Sequence, residues 1–105
     1  MEWKLTRWGG RMRAAKADAN QPEIVMALRY AGASVQHLHG VGAGCPDLVC
    51  GYRGQNYLIE VKDGSKPPSG RALTSDQVAW HGDWRGSVSV VKNIDEALRV
   101  IGVIA

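Results

Sequence analysis

The sequence predicts an α/β fold with a mixed central sheet flanked by helices, on three observations. A helical segment precedes three β-like segments, a second helix precedes a further strand, and a third helix follows it. Strands joined by short loops form an antiparallel meander, whereas a helix between two strands makes the crossover of a parallel pair. The length of 105 residues suffices for one core and not for two. Residues 20–105 are read as the single domain and residues 1–19 as a basic amino-terminal arm.

In the segment NQPEIVMALRYAGASV, Ile24, Val25, Leu28 and Ala31 recur at helical spacing. Asn20 or Gln21 serves as the cap, Pro22 suits the first turn and Gly32 supplies the stop. ASVQHLHG fits a short strand before the glycine-rich loop GVGAG. Residues 44–64, GCPDLVCGYRGQNYLIEVKDG, supply two strands that turn at Arg53-Gly54. DGSKPPSGRAL is a loop. Thr74 then caps a helix, with Gln77 in the capping-box position and an end near Gly86. SVSVV has strong β propensity, and Asn93 caps a last helix with Glu96 three residues on.

A hydrophobic fraction of 45% against 22% charged residues indicates an ordinary globular protein rather than a disordered one. No run reaches membrane-span length and no apolar signal-peptide core opens the chain, so a cytoplasmic protein is expected. Cys45 and Cys50 match neither a redox CxxC pair nor a zinc pattern and read as reduced thiols. Between Trp3 and Ala17 stand five basic residues and no acid, interleaved with tryptophan, a composition that suits a phosphate backbone or a solvated tail.

The hairpin holds the unusual charges. If its turn has two residues, Asp47 lies opposite Glu60, on one face and about 5 Å apart. Lys62 follows on the same face by alternation, and Val49 and Leu58 continue that face inward. Leu48, Cys50, Tyr57, Ile59 and Val61 take the other, so both faces are expected to be covered. Opposed carboxylates repel, and such a pair either shares a proton or holds a divalent cation. Oxygen ligands select Mg²⁺ or Mn²⁺, which with a neighbouring lysine suits phosphodiester hydrolysis. The alternative is that Asp47 caps the turn after Pro46 while Glu60 and Lys62 belong to a solvated edge.

Pro46-Asp47 followed by Glu60-Val61-Lys62 resembles the PD-(D/E)XK signature of a nuclease superfamily, and the element order resembles its restriction-endonuclease-like αβββαβ core. QPEIVMALRYAGASV, GAGCPDLV, LIEVKDG and LTSDQVAWH together resemble the small stand-alone VRR-NUC (virus-type replication-repair nuclease) proteins of phages and prophages. The resemblance implies metal ligation by Glu23, Asp47, Glu60 and the Val61 carbonyl. It implies water positioning by Lys62 and a place beside the active site for Gln77. A capping box of Asn20 with Glu23 is a second reading of Glu23, and capping is a second reading of Gln77.

Trp80 is expected in the core. His37, His39 and His81 are open between DNA contact and surface positions. Arg7, Arg11, Arg13 and Lys16 in the arm, with Lys66 and Arg71 in the loop 63–73, are the expected DNA contacts. The implied activity is a metal-dependent DNA endonuclease, probing branched or junction DNA as a homodimer in phage replication, recombination or repair. The alternative is a nuclease-like module that binds DNA or a partner without cutting it.

Overall fold

The computed structural model describes residues 17–105, so Arg7, Arg11, Arg13 and Lys16 lie outside the described residues. The described elements are α1 (Gln21–Tyr30), β1 (Ser34–His37), β2 (Leu48–Tyr52), β3 (Gln55–Val61), α2 (Ser75–Asp83), β4 (Val88–Val91) and α3 (Ile94–Val100), with a 3₁₀ turn at Pro68–Gly70. Their order is the one the sequence predicts. The sheet runs β1-β2-β3-β4, antiparallel except for the parallel pair β3–β4 that flanks the α2 crossover.

Each helix begins and ends for local reasons. Ile24, Val25 and Leu28 bury one stripe of α1. Gly32, at φ 103°, closes it with paired bonds from Gly32 N to Arg29 O and from Ala33 N to Leu28 O. The same arrangement ends α3 at Gly102. Thr74 and Gln77 form the reciprocal capping box on α2, which stops at Asp83 rather than near Gly86. On α3 the Asn93 side chain accepts from Glu96 N, but Glu96 reaches back to Lys92 N instead of Asn93 N.

No capping box forms on α1. Asn20 is helical in backbone and makes no side-chain cap; its amide donates to the carbonyls of Lys62 (3.1 Å) and Lys92 (3.0 Å). The chain entering α1 is thereby fastened to the segments that follow β3 and β4. Asp18 is carried to the same end of the sheet.

The turn has Arg53 at φ 50° and Gly54 at φ 80°, the positive pair of a type I′ hairpin. It sets the expected register, Leu48 opposite Ile59 and Cys50 opposite Tyr57. Leu48, Cys50, Ile59, Val61 and Val91 form the core with Ile24, Val25 and Leu28 of α1 and Ala97 of α3. The opposite face departs from expectation. Val49, Leu58 and Val88 are only half-buried, Val90 is exposed, and α2 buries none of its residues, so this face is only lightly covered. Among the described residues, no helix is long and apolar enough to cross a membrane.

Candidate active site

The antiparallel register brings the end of β3 against the start of β2. Val61 N–H donates to Asp47 Oδ2 at 2.7 Å, which ties the half-buried aspartate to the strand that carries Glu60 and Lys62. Both of those charged side chains are buried, Glu60 to 2% exposure and Lys62 to 9%. Charges at that depth need partners.

Gln77 supplies them. Its Oε1 accepts from Lys62 Nζ at 2.8 Å, and its Nε2 donates to Glu60 Oε2 at 3.0 Å. Lys62 Nζ stands 3.7 Å from the same Glu60 oxygen. The amide orientation is fixed independently, because Oε1 also accepts from Thr74 N at 2.9 Å. Capping and a place in the site are therefore one role for Gln77. The helix start that orders its backbone also aims its side chain.

A tight approach holds α2 in position. A Cβ on Gly44, whose φ is 86°, would fall 2.3 Å from the Asp76 carbonyl oxygen. The glycine-rich loop that leads into β2 thus lies directly against the first turn of α2. Glycine meets both demands at once, close contact and a left-handed backbone.

The Glu60 carboxyl is pushed up to about 8, first by burial and then by the neighbouring Asp47; Lys62 works in the opposite direction and Asp18 adds to the rise. Its Oε1 is buried without a hydrogen-bond partner. The pair therefore demands a proton or a cation. A magnesium-type ion needs only one or two protein carboxylates, since waters and phosphate oxygens complete its shell. Asp47 and Glu60 fit that need.

Glu23 does not join them. Ile24, Val25 and Leu28 set the buried stripe of α1, and Glu23 falls on its exposed side. Among the described residues no three His, Cys, Asp or Glu side chains assemble as a metal-binding group, so the expected set of Glu23 with Asp47 and Glu60 is not brought together. The acid whose field does reach Glu60 from this part of the chain is Asp18. It lies just ahead of α1, where helix periodicity offers no signal, and it pairs with the exposed Lys66 at 3.4 Å. Arg71 is half-buried in the same loop.

Other neighbours were not assigned by the sequence. The half-buried Cys45 thiol is raised by burial and by both carboxylates. His81, one helical turn beyond Gln77, has its Nε2 buried without a partner, and burial together with the Lys62 charge lowers its pKa. Spacing from Gln77 was the available signal for His81. Trp80 is not in the core; it stacks on Trp84, centroids 4.7 Å apart and planes at 17°.

No protein-family model matches the chain, and no curated protein sequence does. A solved structure described as a VRR_NUC domain is similar over 80% of this chain and 96% of that one, with 22% identity and a TM-score of 0.57. The mixed four-stranded sheet with its flanking helices is therefore the fold of a VRR_NUC domain.

Proposed function

We propose that the chain is a metal-dependent DNA endonuclease that hydrolyses phosphodiester bonds. The supporting observation is the buried Glu60–Gln77–Lys62 network beside Asp47, in which one carboxylate oxygen lacks a partner. Asp47 and Glu60 are the residues that would hold Mg²⁺ or Mn²⁺, with the Val61 carbonyl as a further oxygen. The ion supplies Lewis-acid polarisation of a phosphoryl oxygen and neutralises the carboxylate pair. Lys62 is oriented by Gln77, leaving ammonium N–H groups to donate to a non-bridging phosphate oxygen or to the attacking water. Gln77 keeps Lys62 and Glu60 in fixed relation while charge develops.

The finer reading is a structure-selective enzyme of the phage replication-repair type, acting in the cytoplasm on branched or junction DNA. DNA contacts fall to Lys66 and Arg71 beside the site and to Arg7, Arg11, Arg13 and Lys16 in the arm. A homodimer, expected by analogy, is compatible with the open sheet face, where Val90 is 42% exposed. Light scattering of the eluting protein measures the subunit number, and a monomer at working concentration removes the dimer from the proposal.

The central test incubates supercoiled plasmid and synthetic junctions with protein and Mg²⁺ or Mn²⁺. Asp47→Ala and Lys62→Ala are each expected to slow cleavage by about 10²-fold or more, the scale of losing a preorganised charge at the reacting group. Cutting at the parental rate by both variants would overturn the site. The exposed position of Glu23 favours the competing reading, a binding module without cleavage. That reading expects retained DNA binding, no cutting and no calorimetric signal for Mn²⁺ at millimolar concentration.

A further inference from the structure

A concavity lies between α1 and the end of β1, and it shares no residue with the site above. Its volume is about 350 Å³, within the range of small-molecule sites, and its walls include Val25, Met26, Arg29, His37 and His39. Gln21 also lines it, 2% exposed, with Oε1 lacking any hydrogen-bond partner and Nε2 only 3.4 Å from His37 Nδ1. A buried amide oxygen without a partner is costly to leave unmet. The hydrophobic stripe of α1 does not account for it, since an apolar side chain would fill that place at no such cost.

Three features give the cavity a chemical preference. The His37 and His39 rings stand edge to face, centroids 5.7 Å apart, and Val25 and Met26 add apolar wall. Such surfaces take the face of a planar heterocycle. The Gln21 amide carries a donor beside an unpartnered acceptor, the pattern that matches the N6 and N7 edge of adenine once the side chain turns to a bound base. Arg29, exposed and donating from Nη2 to the Val35 carbonyl, brings a cation to the rim.

The cavity lies on the α1 face of the sheet, since His37 pairs with Leu48, and the backbone ties it to the carboxylates of the other face. Leu38 N–H donates to the Asp47 carbonyl at 2.7 Å, and the two histidines flank Leu38. We propose that this cavity takes an unstacked base, adenine by preference, from a DNA strand whose backbone lies at Asp47 and Glu60. The Gln21 amide meets the base edge, and one imidazole of the edge-to-face His37–His39 pair meets a face of the base. This rests on the nuclease reading for the identity of the strand. It supplies that reading with a preference for frayed, looped or branched DNA, where a base is already free of its stack.

The test has two arms on the full chain. In the first, deoxyadenosine monophosphate is titrated and the side-chain resonances of Gln21, His37 and His39 are followed by NMR. Saturable shifts at these three groups are expected, and His37→Ala with His39→Ala should weaken binding by about tenfold or more. Both positions are exposed, so the variant is expected to fold, which its thermal transition checks.

In the second arm, 2-aminopurine is placed in turn at positions next to the mapped cut. One position should brighten on binding to the parent and lose most of that gain with the double variant. Absence of shifts at the three groups, or equal responses from parent and variant, overturns the proposal even if the parent nicks plasmid. Saturable shifts at the three groups in a parent that never cuts DNA would overturn the nuclease reading and leave the base site standing.

Discussion

Glu60 is buried between an aspartate that repels it and a lysine that does not fully compensate. Its carboxyl is pushed up from 4.5 to about 8, chiefly by burial and by Asp47. The folded state therefore binds more protons than the unfolded chain between those values, and this group's contribution to stability falls as pH rises through that window. In metal-free buffer Glu60→Gln, which mimics the protonated form, should be more stable than the parent at pH 8. The gain should be about 1 kcal/mol or more, read as a rise in Tm of about 4–8 °C per kcal/mol. At pH 5 most of that advantage should vanish. Adding Mn²⁺ at pH 8 should raise the Tm of the parent and leave Glu60→Gln nearly unchanged; equal shifts would place the ion elsewhere. The convergence of Asp47, Glu60 and Lys62 at one end of the hairpin was legible in the sequence because a two-residue turn and strict alternation determine which side chains share a face. The exposed position of Glu23, apart from Asp47 and Glu60, was not legible, because it depends on the rotation of α1, which Ile24, Val25 and Leu28 determine through the core.

At the scale of elements, α2 is held by its ends rather than by a buried face. None of its residues is buried, and its position depends on the capping box and on the contact with Gly44. Thr74→Ala should cost about 1 kcal/mol and loosen Gln77, the partner of both Glu60 and Lys62. Gly44→Ala meets a backbone oxygen as well as an unfavourable φ and should cost about 2 kcal/mol or more, with a matching loss of cleavage. Gly40→Ala has open space around its Cβ and should stay within about 0.5 kcal/mol of the parent in urea denaturation. If the two glycine variants behave alike, the loop does not position α2. The helix start was legible, since Thr74 and Gln77 announce it three residues apart. The reliance on Gly44 was not, because a close approach between segments more than thirty residues apart leaves no local pattern. The light cover over Val49, Leu58 and Val88 was hidden for a similar reason, since alternation gives the side of a residue but not what packs on it.

Over the whole molecule the formal charge is +3, yet its distribution is uneven. Residues 1–16 hold five of the thirteen basic side chains and one of the ten acids, which leaves eight basic and nine acidic residues in positions 17–105. Residues 17–105 are thus close to neutral and slightly negative, and two of their nine acids are the opposed carboxylates of the candidate site. A duplex is drawn to a protein by its positive charge, through release of counterions. On the proposed function, the body alone has little long-range attraction for DNA, and the arm supplies it. Removing residues 1–16 should flatten the dependence of log affinity on log salt by up to about 4, from roughly 0.9 for each phosphate neutralised. Binding at low salt should weaken accordingly, measured by fluorescence anisotropy across a salt series. The chemistry at Asp47, Glu60 and Lys62 should survive, so kcat at saturating DNA stays near the parental value while KM rises. A truncated chain whose salt slope equals that of the full chain would assign attraction to Lys66, Arg71 and the rest of the body instead. Loss of kcat with an unchanged slope would make the arm part of the site.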